Sequence, residues 1–218
     1  MAKAVRKSSP NKSVPKDNII PIIEKYFWIV IPLFTIIYFI SSKISVGFYQ
    51  DDEIAQFLNM LDFWKNPAVI LGNNPKPGYK IFMVIPALLG YEPVLFVNSF
   101  IASLTVYFTY RLLKIYDVSY AYFGALLLAV QPLFFDLSFR SYSEIFTSLV
   151  LIFFLIAYKK ENYLLSGLIL GYIFTIRQEI AILCFIVGII FLTKKKFLAF
   201  IAVGVFPVIY NFLGYLKT

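Results

Sequence analysis

What most constrains this chain is a succession of long apolar runs broken by short polar turns. The runs cover about residues 26–46, 93–110, 119–135, 142–158, 163–176, 180–193 and 197–216. A bilayer core about 30 Å thick takes roughly 20 apolar residues as a helix, and backbone in lipid must satisfy its own hydrogen bonds. The expected fold class is therefore all-α, a polytopic transmembrane helical bundle of about seven spans. The balance of 60% hydrophobic to 15% charged residues agrees, because soluble domains carry about a quarter charged. The first run is too long for a signal-peptide core and lacks an A-x-A-like cleavage site, so it reads as an uncleaved anchor.

Charge fixes the expected direction. Residues 1–25 form a basic tail, assigned to the cytoplasm, and 26–218 form the membrane domain. With the tail inside, the inner segments hold 13 of the 20 basic residues and 4 acids, and the outer segments hold 7 basic residues and 8 acids. Each short inner loop then carries two or three basic residues, as the positive-inside rule requires. The expected location is the plasma (cell) membrane, multi-pass, with the N-terminus cytoplasmic. The net charge of +8 lies in these clusters, so a nucleic-acid partner is not expected.

Residues 47–92 make a large first extracytoplasmic loop. Within it, Asp51–Lys65 carries Ile54, Phe57, Leu58, Leu61 and Trp64 at helical spacing, predicting an amphipathic helix on the outer surface. That helix should end at Asn66-Pro67, with loop over 72–78, and 81–89 should be half buried or re-entrant.

With no His in the chain, His-bearing triads and His-ligated zinc are excluded. The single Cys184 lies in an apolar run and allows no intramolecular disulfide. Chemistry must come from carboxylates, arginines, hydroxyls or a bound metal, and three polar groups fall on the outer side. Tyr49-Gln50-Asp51-Asp52-Glu53 follows the first run; its acids suit a helix N-terminus, a general base or a metal site. In Asp136–Glu144, Arg140 and Glu144 are four apart and would share a helix face, closing a hairpin. In Arg177-Gln178-Glu179, the short flanking runs would recess Arg177 into the outer leaflet, where it snorkels or grips a lipid phosphate. No ionised residue falls mid-span, and no internal repeat is evident, which counts against a proton-coupled transporter.

The acidic pair after the first span, the long first loop with its surface helix, and the Asn74-Pro75-Lys76-Pro77-Gly78-Tyr79 segment resemble the C-type (GT-C) glycosyltransferases, which use polyprenyl-phosphate sugars. Arg140-Ser141-Tyr142-Ser143-Glu144 is similar to a recurrent R-x-x-x-E turn of that superfamily, and Gly167–Glu179 to its G-x-x-x-G…R-x-E stretch. The resemblance covers about residues 24–193 and includes protein O-mannosyltransferases and aminoarabinose transferases. It implies transfer of a sugar from a lipid-linked donor to a protein, glycan or lipid acceptor on the extracytoplasmic face. Asp52 would be the general base, Glu53 would orient the acceptor, and Asp51 would compete with Asp52. Arg177 and Arg140 would bind the donor phosphate, with Glu144, Glu179 and Lys76 in support. A divalent cation (Mg or Mn), if used, would fall to Asp51, Asp52 and Glu53. Such enzymes usually have eleven or more spans, so a truncated relative, a non-catalytic membrane assembly subunit, or a small-solute transporter stands as the alternative.

Overall fold

The computed structural model describes residues 19–45, 51–72 and 75–217. The expectations for the tail up to residue 18, and those naming Val46, Gly47, Tyr49, Gln50, Asn73 and Asn74, lie outside these residues. The described chain is helical throughout. It runs as α1 (Ile19–Tyr26), a 3-10 turn (Phe27–Ile29), α2 (Val30–Ile44), α3 (Asp51–Asp62), a 3-10 segment (Pro67–Leu71), α4 (Pro77–Leu88) and α5 (Tyr91–Ile115). Then come α6 (Ala121–Val130), α7 (Pro132–Ser138), α8 (Ser143–Lys159), α9 (Tyr163–Ile176), a 3-10 turn (Gln178–Ile180), α10 (Ala181–Thr193) and α11 (Phe197–Lys217).

Three helical stretches among the described residues are long and apolar enough to cross a membrane: Ile22–Ile44, Tyr91–Ile115 and Phe197–Leu216. A fourth is added if α6 and α7 count as one bent span, while Pro77–Leu88, Tyr163–Ile176 and Gln178–Thr193 are apolar but shorter. Leu33, Ile36, Phe185, Ile201 and Phe212 point outward from these helices and are exposed. A continuous apolar exterior of this kind belongs in lipid.

Helix α5 is the central post, packed against α2, α6 and α8, and α8 leads on to α9 and α9 to α11. Its buried hydroxyls are satisfied locally. Ser99, Ser103 and Thr105 each donate to the carbonyl four residues earlier at 2.8–2.9 Å, and Ser103 meets Thr35 of α2 at 2.8 Å. Such back-bonding lets hydroxyls enter an apolar helix without an unsatisfied donor. Ion pairs mark the two ends of the α2–α5 pair: Glu24 with Lys114 at 2.8 Å, and Lys43 with Glu92. The two helices therefore run antiparallel.

The expected third span is not straight. Pro132 cannot donate to the helix ladder and forces the preceding residue out of the helical region. Gln131 is extended accordingly (φ −61°, ψ 126°), and its side chain caps the next helix at Phe134 N. The axes of α6 and α7 differ by 67°. In the first loop, α3 stops at Asp62, three residues before the expected end, and Asn66 accepts from Ala68 N to start the 3-10 segment. α4 begins at Pro77, with Pro at its first position, so it takes in residues expected to be loop.

α9 and α11 pack backbone to backbone at two glycines. A Cβ on Gly167 would lie 2.4 Å from the Ala199 carbonyl oxygen, and one on Gly171 would lie 2.5 Å from that of Val203. Four residues forward on one helix match four forward on the other, so the two helices are parallel and in register.

Candidate functional site

The polar groups from separate loops meet at the end of the bundle that carries Lys43 and Glu92. The first turn of α3 presents three acids, but successive residues of a helix point about 100° apart. Asp51 and Asp52 are exposed, whereas Glu53 turns inward and is fully buried with Gln56 and Met60. Ile54, Leu58 and the nearby Trp64 are exposed. The buried Glu53 carboxylate accepts from Ser141 N at 2.7 Å and from the Tyr91 hydroxyl. It thus ties α3 to the head of α5 and to the turn between α7 and α8.

That turn breaks the expected Arg140–Glu144 arrangement. Tyr142 is extended (φ −112°, ψ 144°), so residues 140 and 144 do not share a helix face. Arg140 instead reaches back to Asp136 at 3.1 Å and across to Ser45 Oγ at 3.1 Å, and is buried. Asn98 of α5 donates to the carbonyls of Leu137 and Arg140, which holds the turn open. Glu144 pairs with Arg177, whose guanidinium also meets Glu179 at 3.1 Å. Burial opposes the charge on Arg177, but hydrogen bonds and attraction from Glu179 and Glu144 outweigh it and raise its pKa. Glu179 is held below the usual carboxylate range by a backbone hydrogen bond and by Arg177, with a smaller contribution from Lys76.

Lys80, not singled out from the sequence, belongs to the same constellation. It is buried near the start of α4, where burial and neighbouring Lys76 depress its ammonium pKa to about 8 while Asp52 pulls it up. Tyr79 beside it is fully buried, shares a 3.4 Å hydrogen bond with Ser141 Oγ, and has its pKa raised chiefly by burial. The only sequence sign of Lys80 was a lysine abutting an apolar run. Asp52 and Lys76 both act electrostatically on Lys80, Lys76 acts also on Glu179, and Glu179 contacts Arg177 directly. Among the described residues, Gln56 Nε2 and Oε1, Asn98 Oδ1, Ser143 Oγ and Glu144 Oε2 are buried without hydrogen-bond partners. Buried polar atoms of this kind are satisfied in most proteins.

An apolar groove of about 420 Å³ runs alongside. The 3-10 segment Pro67–Leu71, α4, α9 and α11 form it, with Gly78 and Tyr172 in its wall and Tyr210 at its edge. Tyr172 donates to Gly78 O at 2.6 Å, and Gln178, next to Arg177, donates to Tyr210 at 2.6 Å, so the groove opens beside the Arg177 turn.

A divalent ion does not fit the acids present. Asp51, Asp52 and Glu53 diverge around one helical turn, and Glu53 already serves as an acceptor for two protein donors. Among the described residues no group of three or more acidic, His or Cys side chains converges on a point. Scans against protein-family models, curated proteins and solved structures return no match to this chain.

Proposed function

We propose that this chain is a membrane glycosyltransferase of the GT-C kind, moving a hexosyl or pentosyl unit from a polyprenyl-phosphate donor to an acceptor on the extracytoplasmic face. The observation that carries this reading is an exposed carboxylate, Asp52, at the end of the bundle that also gathers Lys80, Lys76 and the Glu144–Arg177–Glu179 cluster, beside an apolar groove. A lipid phosphate needs such cations and its tail needs such a groove. In this reading the chain crosses the plasma membrane seven times with its N-terminus in the cytoplasm, α3 lies on the outer surface, and α4 does not cross.

Asp52 takes the proton of an acceptor hydroxyl as its oxygen attacks the anomeric carbon. The new carbon–oxygen bond forms with inversion as the bond to phosphate oxygen breaks, and the phosphate leaves with the electron pair. Arg177, steered by Glu144 and Glu179, stabilises the growing phosphate charge together with Lys76 and Lys80. Glu53 acts by position: bonded to Ser141 and Tyr91, it holds α3 so that Asp52 faces the site. Arg140, committed to Asp136 and Ser45, braces the same turn and reaches the phosphate only by releasing them.

Transfer of labelled sugar from polyprenyl-phosphate donors to membrane acceptors, comparing wild type with Asp52→Asn at equal expression, tests the reading. Transfer lost in the variant supports Asp52 as base. Transfer unchanged in Asp52→Asn, or absent from wild type with a range of donors, sinks it in favour of a non-catalytic subunit. That alternative draws on how fully Glu53, Arg140 and Arg177 are engaged within the protein.

A further inference from the structure

The opposite end of the bundle carries a second polar surface that sugar transfer does not use. The turn from α8 to α9 brings Lys159 and Lys160, and the turn from α10 to α11 brings Lys194, Lys195 and Lys196 beside it. Aromatic rings hold these ammonium groups in place. Lys194 donates to the Tyr158 hydroxyl at 3.0 Å and lies 5.0 and 5.4 Å from the ring centres of Tyr158 and Tyr163. Lys196 lies 5.1 Å from Tyr163, and Lys159 lies 4.9 Å from Tyr116. Attraction to a ring face orders a long flexible side chain before any ligand arrives.

Between the two turns lies a groove of about 450 Å³ with two unlike walls. Asn162, Lys195 and Lys196 make the polar one. Leu164, Phe197 and Leu198 make the other, and these apolar side chains are 51%, 60% and 71% exposed. Lys195 and Lys196 line the groove with one acid, Glu161, and Lys159, Lys160 and Lys194 stand on the same two turns. A soluble anion would use only the lysines, and an uncharged lipid only the apolar wall. An anionic phospholipid uses both.

We infer that this groove is a binding site for an anionic phospholipid, its phosphodiester among the lysines of the two turns and an acyl chain along Leu164, Phe197 and Leu198. The site is independent of the proposed glycosyl transfer. It gives the lysine-bearing end a lipid partner that fixes the depth of α9 and α11 in the bilayer.

Native mass spectrometry of the purified full chain, titrated with phosphatidylglycerol or phosphatidylcholine of the same acyl chains, tests this. Each basic residue at an anionic surface contributes about fivefold in affinity, so Lys194→Gln/Lys195→Gln/Lys196→Gln should weaken phosphatidylglycerol binding on the order of 100-fold. A Leu164→Ser/Leu198→Ser variant, which keeps every lysine, should also weaken it. Lys25→Gln/Arg111→Gln, which removes basic residues away from the groove, should leave it unchanged. Equal retention of the two lipids by wild type, or equal loss in the Lys25/Arg111 variant, overturns the inference. Displacement of the lipid by excess inorganic phosphate alone would reduce the site to a phosphate site and overturn it as well.

Discussion

The glycines of α9, α10 and α11 make a graded test of the packing. Adding a Cβ at Gly171 places it 2.5 Å from Val203 O, about 0.9 Å inside the 3.4 Å of ordinary contact, and the obstacle is helix backbone that cannot swing aside. Overpacking of this kind costs about 1–3 kcal/mol, and the upper half applies where backbone is the neighbour. Replacing a mid-helix glycine by alanine returns about 1 kcal/mol of helix propensity. Gly171→Ala should therefore lose about 1–2 kcal/mol net. Gly167→Ala, 2.4 Å from Ala199 O, should behave alike. At Gly188 a Cβ would meet the Phe200 ring at 3.4 Å, and at Gly204 it would meet nothing within 4 Å. Gly188→Ala should be close to neutral and Gly204→Ala should gain up to about 1 kcal/mol. The double variant Gly167→Ala/Gly171→Ala should cost less than the sum, since one outward shift of α11 relieves both contacts. SDS-unfolding titrations in mixed micelles, followed by near-UV circular dichroism, read the ranking. Finding Gly171→Ala as stable as Gly204→Ala would refute the parallel in-register packing from which the ranking comes.

Glu53→Leu strands the Ser141 N–H and the Tyr91 hydroxyl and should cost about 2–4 kcal/mol in the same titration, with Glu53→Gln, which keeps an acceptor, costing less. The depressed Lys80 pKa means that between pH 8 and 10.5 the unfolded chain binds more protons than the folded one, so this residue makes stability rise with pH across that window. Lys80→Met should abolish that rise, and a wild type and variant with the same pH profile from 8 to 10.5 would count against burial of Lys80. Arg177→Ala should lower the rate of labelled-sugar transfer about 100- to 1000-fold with little change in acceptor KM, as expected for a donor acting on developing charge. A rise confined to the donor KM, with kcat unchanged, would reassign it to ground-state binding of the donor.

Apolar runs foretold the helices because composition alone decides whether backbone must satisfy itself. They foretold their shapes less well. Pro132 stood in plain view, yet hydropathy continues across it, and only the extended Gln131 turns one expected span into two helices. The gathering of Glu53, Arg140, Glu144 and Arg177 at one end followed from their positions between runs, whereas their pairing did not. Which partner Arg140 takes depends on whether the helix continues through Tyr142, a local choice that the i, i+4 spacing cannot reveal. Division of labour among Asp51, Asp52 and Glu53 depends on which face α3 turns inward, and Lys80 is hidden for the same reason on α4. The Gly167–Gly171 pair was read as part of a motif; its physical role is to let α11 approach.

The parallel contact of α9 with α11 also imposes an order in time. Between them the chain must lay down α10, which packs less extensively on either neighbour than they do on each other. When α9 first emerges from the ribosome, the Gly167–Gly171 face has no partner and must wait for α11 to be made. The Arg177 turn hangs from the end of that helix, and Gln178 beside it donates a hydrogen bond to Tyr210 of α11. The part of the site built from α3, α4, α5 and the α7–α8 turn is synthesised earlier, and the Arg177 turn settles only once α11 has docked.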